Sequence, residues 1–277
     1  MKNILSIDVE EWYHPEYVKD KVSEEKEERL KQSLDITLGI LSKQCVKATF
    51  FVVGELAEKY PELIKRISDE EHEIGFHGYN HETLWNLNAE GLREETRKFD
   101  SLMSEKPIGF RAPSFSLDNS TKWALEVLED AGYKYDSSIF PTKTPLYGVK
   151  GAPMKPYKPS HDNVVLEDET RKIWELPLLV YPLFGLRLPM AGGFYLRLFP
   201  FNMLFRAVKK QNRKGFPAVI YLHNWELDPE TPKLKLGLYK SFVTYHNLAK
   251  TVELLKSLLR EFQFTSFAEY LKETEMI

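Results

Sequence analysis

Several short apolar runs of this chain end in a side chain capable of chemistry. "NILSID" stops at Asp8, "HEIGFH" at His77, "IGFR" at Arg111, "YKYD" at Asp136 and "AVIYLH" at His223. Longer amphipathic stretches separate them, such as "SEEKEERLKQSLDITLGILSKQC", where Leu30, Leu34, Ile36, Ile40 and Leu41 fall near one helical face. Strand and helix patterns in alternation predict a parallel sheet, open or closed. An open sheet would spread these strand ends along a line. A βα-barrel gathers them on one face around its axis, so the expected fold is α/β with the sheet curled into a barrel.

Other segments fill in this frame. "ELAEKYPELIKRISDE" is helical with a break at Pro61, and further helices are expected near 88–104, 202–210 and 248–261. "STKWALEVLEDAG" is expected to start on a Ser120 N-cap and stop at Gly132. Residues 140–172, rich in Pro, Gly and Lys, read as an excursion from the repeat, within one domain spanning 1–277. "LPLLVYPLFGL", Leu176–Leu186, is too short for a membrane span and reads as a buried segment or substrate-facing loop.

Bulk properties narrow the partners. A net charge of -3 gives no general attraction to nucleic acid or to an anionic membrane. The single cysteine, Cys45, excludes an intrachain disulfide, and no signal peptide is visible, so the chain reads as cytoplasmic.

In "GFHGYNHETL", His77 and His81 have an i, i+4 spacing that on a helix would put two imidazoles within reach of one ion. Without a third ligand the pair could equally be a strand-end core residue and a surface residue. "DVEE" offers that ligand. Asp8 and Glu10 share a strand face by their period-2 spacing, so one carboxylate could bind a metal while the other acts as a base. Glu11 reads either as a solvated loop residue or, like His14, as a substitute ligand. Arg111 needs a carboxylate partner if buried, and Asp8 is the natural one. His223 suits a general acid, with Leu222 and Trp225 as an apolar pocket beside it.

These patches, in this order, resemble the NodB-homology polysaccharide deacetylases, carbohydrate esterase family 4. "SIDVE" is similar to the family's first motif, "HGYNH" to its His-x3-His motif, "RAP" to its Arg-x-Pro motif and "LH" at 222–223 to its late Leu-His motif. "DVEEWYH", "GYKYDSSIFP", "LPMAGGFYLRLFP" and "YLHNWELDPE" further resemble a subgroup associated with exopolysaccharide biosynthesis loci.

The resemblance implies a distorted, incomplete (β/α) barrel and a metal-dependent hydrolase that takes the N-acetyl group off a sugar of a surface glycan or its precursor. It implies Asp8 as base, Arg111 as its partner, and Glu10, His77 and His81 as ligands of a divalent metal, zinc most often. His223 would be the acid, Leu222 would line the acetyl pocket, and the Ser114 N–H would bind the oxyanion. The chain departs from the family pattern in carrying Val9 and Glu10 where adjacent aspartates are commonest, and Ser114 where an aromatic residue is common. Its supporting residue for His223 is not evident; Asp136 could serve, or could be a strand-end cap. The rival readings are a hydrolase of another C–N bond, such as a small cyclic amide, and a catalytically silent glycan-binding protein. The apolar and basic residues of 194–214, Phe194 to Lys214, form either a cover for the barrel mouth or a weak peripheral contact with the inner membrane face.

Overall fold

β1 (Asn3–Val9) is buried along its whole length, as a central parallel strand covered on both faces must be. The computed structural model describes residues 1–23 and 25–277. α1 (Leu30–Lys43) starts later than its sequence pattern suggests, and Glu24, near the head of that pattern, lies outside the described residues. It buries Leu30, Leu34, Leu38 and Leu41 on the face spaced by three and four residues. β2 (Thr49–Val52) follows, then α2 (Gly54–Lys59) and α3 (Pro61–Asp69), divided where Pro61 occupies the first helical turn. β3 (Glu73–Phe76) leads to α4 (Ala89–Leu102), capped by the Asn88 side chain, which accepts from the Gly91 N–H at 2.9 Å.

β4 (Gly109–Phe110), α5 (Trp123–Asp130) and β5 (Tyr135–Asp136) come next. Ser120 does not cap α5. It donates to Asp118 in the preceding turn, and the helix begins three residues later. After the excursion, β6 (Trp174–Glu175) completes a run of parallel neighbours from β1 to β6. The apolar stretch 176–186 then turns out to hold half of an antiparallel hairpin, β7 (Val180–Leu183) with β8 (Leu186–Pro189). α6 (Gly193–Leu198), α7 (Phe201–Arg213), β9 (Val219–His223), α8 (Leu238–Tyr245), α9 (Thr251–Glu261), β10 (Phe264–Thr265) and α10 (Phe267–Glu273) complete the chain.

β9 pairs with β1 in parallel, and β10 pairs with the start of β1. The sheet curls until the Leu179 N–H, just past β6, donates to the Val219 carbonyl of β9 at 3.0 Å. That contact replaces a full ladder, so the barrel is incomplete. Its interior is filled by Phe51, Tyr135 and Phe267, with Tyr135 stacked on Phe267 at 4.8 Å. Gly109 makes the room: a Cβ there would collide with the Tyr135 ring. Outside the sheet, Phe76 stacks on Phe99 of α4 at 4.6 Å.

The segment 194–214 uses most of its apolar side chains internally. Leu204 is buried, Phe205 packs against Phe262, and Lys210 donates to the Pro182 carbonyl. Phe194 and Tyr195 line a cavity at the barrel mouth.

Candidate active site

The backbone ladder places the first two side chains. In the β1–β9 register Asp8 lies opposite His223, so a carboxylate and an imidazole sit side by side at the ends of adjacent strands. Arg111, one residue past β4, reaches across the interior and donates from Nη1 to Asp8 Oδ1 at 2.6 Å. It is fully buried. Three more of its N–H groups are engaged by Ser6 Oγ, the Ser137 carbonyl and Ser137 Oγ, and the Phe51 ring lies 4.3 Å from its guanidinium carbon. A buried guanidinium with this many partners is costly to displace, which fixes where Asp8 points.

Glu10 Oε1 lies 3.0 Å from both His77 Nε2 and His81 Nε2. The two histidines do not converge as neighbours on a helix. His77 directly follows β3, the chain turns back at Gly78 with φ of 71°, and His81, itself left-handed at 53°, returns its ring to the same point. A Cβ on Gly78 would press on Pro113, so this turn needs glycine twice over. The Glu10 backbone is held as well, its N–H donating to Asn224 Oδ1 at 2.8 Å.

These residues fit a divalent ion. His77 Nδ1 donates to the Arg111 carbonyl at 2.7 Å, which leaves the Nε2 lone pair facing a carboxylate oxygen. Two lone-pair atoms at such a distance repel unless a positive charge lies between them. Glu10 Oε2 is buried with no partner among the described residues, and Glu10, His77 and His81 offer donor atoms within 4.8 Å of one another. Burial alone would raise the Glu10 pKa, but positive charge at His81 and then His223 holds it well below the usual carboxylate range. Two imidazoles and a carboxylate suit zinc among other transition ions.

His223 is held from behind by Glu226, a residue not anticipated from the sequence. Glu226 Oε2 accepts from His223 Nδ1 at 3.1 Å and from its backbone N–H at 3.0 Å, and Arg197 of α6 pairs with Oε1. Burial would raise the Glu226 pKa, yet Arg197 and His223 bring it down to about 2. Burial would likewise lower that of His223, but Glu10 and then Glu226 push it up to about 9. The only sequence signal for this support was the His-x-x-Glu spacing at a strand-to-turn junction. Asp136 is not the partner of His223. It accepts from Ser138 Oγ at 2.5 Å, and that hydroxyl accepts from the Ala112 N–H, so Asp136 braces the segment carrying Arg111.

Three further expectations are corrected. Glu11 does not face the site: its carboxylate accepts from the Arg29 and Leu30 N–H groups at the start of α1, where the helix dipole favours it. His14 is stacked on His81 with ring centroids 5.5 Å apart and pairs with Glu55 at 3.0 Å, so it backs a site residue without lining the cavity. Leu222 is fully buried on the other face of β9, because side chains alternate along a strand; Tyr221 and His223 are the pair that face the cavity. Trp225 does line it, stacked on His223 at 5.4 Å. Ser114, at φ of 53°, also lines it, and its N–H has no backbone partner among the described residues.

The cavity holds about 160 Å³ and is walled by aromatic side chains from distant segments, including Tyr17, Phe115, Tyr147, Tyr195 and Tyr221. Residues 26–135 match the model of the polysaccharide deacetylase family, and residues 137–272 match a domain of unknown function, DUF3473. A peptidoglycan-N-acetylglucosamine deacetylase of Bacillus cereus is 39% identical over 103 residues, covering 34% of this chain and 37% of its own. The peptidoglycan-N-acetylmuramic acid deacetylase PdaA of Bacillus subtilis is 43% identical over 83 residues, covering 26% of this chain and 32% of its own. The chain thus spans about a third of the length of these relatives. A solved Mycobacterium smegmatis structure assigned to the polysaccharide deacetylases superposes with a TM-score of 0.58 at 17% identity, covering 99% of this chain and 89% of its own, which shows a shared fold. The likeness to polysaccharide deacetylases thus rests on the model match over residues 26–135 and on these partial relatives.

Proposed function

We propose that this protein is a metal-dependent hydrolase that removes the acetyl group from an N-acetylated sugar of a surface glycan or its precursor. The observation that carries this reading is the meeting of three elements on one cavity: the Glu10–His77–His81 cluster, an Arg111-held Asp8 and a Glu226-held His223. The family match and the deacetylase relatives point the same way. The match of the C-terminal half to the domain of unknown function is consistent with the exopolysaccharide-locus subgroup.

Glu10, His77 and His81 would hold the ion, for which we favour zinc. When bound, a divalent ion supplies Lewis acidity, polarising an acetamide carbonyl and lowering the pKa of a nearby water. The chain's own residues supply the proton transfers. Asp8 Oδ1 is tied to Arg111, and its Oδ2 lies 4.0 Å from His77 Nε2, facing the cluster. It takes a proton from the water that attacks the acetamide carbon. The Ser114 N–H faces the developing negative charge on the carbonyl oxygen. As the C–N bond breaks, His223 gives its proton to the departing amine, and acetate and the free amino sugar result. Tyr221 and Trp225 take the apolar role expected of Leu222 and flank the acetyl methyl group. The test is acetate release from a panel of N-acetylated sugars, alongside elemental analysis of the purified protein. Turnover with bound metal supports the reading; tight sugar binding with no acetate under several metals refutes it.

A further inference from the structure

α8 carries apolar side chains toward the cavity and also toward solvent, with Tyr239 at the border between the two. Tyr239, Val243 and Thr244 line the catalytic cavity. On the outer side Leu238 is 94% exposed, Tyr239 56% and Phe242 45%. Contiguous apolar groups at the surface of a soluble chain mark a binding surface more often than chance exposure.

The charge around this helix says what it binds. The chain has 41 acidic residues in 277, yet none lies between Thr231 and Val252. That stretch carries Lys233, Lys235, Lys240 and Lys250, of which Lys233, Lys235 and Lys250 are exposed. Within residues 232–251 every charged side chain is positive, with Glu230 and Glu253 flanking the stretch. We propose that α8 and the segment leading into it dock on the surface of an anionic lipid bilayer. Leu238 and Phe242 enter the acyl boundary, and the lysines lay their stems along it with their ammonium groups at the lipid phosphates.

No helix among the described residues is long and apolar enough to cross a membrane, and the contact proposed here is with the bilayer surface. Docking this way puts the cavity mouth at the bilayer, because α8 forms part of the cavity wall. If the site acts as proposed above, its sugar is one presented at a lipid surface.

Flotation of the full chain with vesicles tests the docking without reference to turnover, so it stands or falls apart from the deacetylase reading. Vesicles of phosphatidylcholine alone should leave the protein in solution, and those with ~30% phosphatidylglycerol should carry it up at low salt. Salt at ~0.5 M should release it, since charges are then screened over only a few ångströms. Each basic residue near such a surface is worth roughly fivefold in partitioning, so Lys233→Gln/Lys235→Gln should bind about 25-fold more weakly. Leu238→Asp changes a side chain that touches little else, and should also stay in solution. Wild-type protein that ignores anionic vesicles at low salt overturns the proposal, as do variants that float as well as the wild type. A wild type that dimerises without lipid while Leu238→Asp is monomeric also overturns it, making the face a subunit interface.

Discussion

Replacing Glu226 with glutamine removes one negative charge from between two cations while keeping the shape of the side chain. In the native site the Glu226 carboxylate sits at about 2, against an ordinary value of 4.5, which corresponds to about 3 kcal/mol of stabilisation of the charged form. The figure applies with little discount for screening because the Glu226 side chain is only 3% exposed. Arg197, whose side chain is 1% exposed, would keep the carbonyls of Thr244 and His246 but lose its counter-charge. Removing one partner of such a pair costs ~3–5 kcal/mol, so the variant should melt on the order of 10 °C lower. The sign with pH follows from the depressed pKa. Native protein has this stabilisation above about pH 4.5 and loses it as pH falls through about 2. Glu226→Gln should lack that acid-dependent loss.

The same change reaches the chemistry through His223. Its pKa of about 9 is sustained by Glu10 and Glu226, and a cation on Glu10 opposes the first of these. Removing Glu226 therefore moves the His223 pKa down, and the alkaline limb of the rate profile should shift to lower pH. Stability and rate separate in the double variant Arg197→Met/Glu226→Gln. Removing both charges of a buried pair can be nearly neutral for folding, so thermal stability should largely return while the rate stays low. A Glu226→Gln protein with the wild-type rate and an unmoved alkaline limb would refute the view that Glu226 positions the acid.

Other outcomes follow from the same geometry. His77→Ala should lose bound metal and activity together, read by elemental analysis and acetate release; full metal occupancy would remove His77 from the ligand set. Asp8→Asn should keep its metal and lose ~100- to 10,000-fold in rate, the usual worth of a positioned proton acceptor. Glu11→Gln should lower stability by about 1 kcal/mol through a weakened cap on α1, with metal content unchanged; loss of metal would return Glu11 to the site.

The strand ends were legible because a polar residue closing an apolar run is conspicuous, and Asp8, His77, Arg111 and His223 all stand there. The Asp8–Arg111 pair followed from the cost of burying a guanidinium alone. What stayed hidden depended on backbone conformation and on contacts far apart in the chain. The i, i+4 spacing of His77 and His81 suggested a helix, whereas left-handed backbone at Gly78 and His81 produces the convergence. Glu11 and Glu10 are neighbours of one type, and only the position of α1 tells the helix cap from the site carboxylate. Arg197 lies 29 residues from Glu226, with no local pattern to join them. The β7–β8 hairpin was masked because its first strand continues an apolar run that is already buried.

The pairing of Asp8 with His223 across β1 and β9 has an evolutionary meaning. The spacing of donor and acceptor is written into the hydrogen-bond register of two core strands, which insertions and deletions elsewhere leave untouched. Part of the cavity wall belongs to loops, among them residues 15–17 and 144–147. Such segments tolerate replacement far better than strands do. The architecture thus separates a part that must be inherited intact from a part free to diversify. Loops grafted onto this scaffold could change which molecule is admitted while the proton-transfer geometry passes unaltered from one descendant to the next.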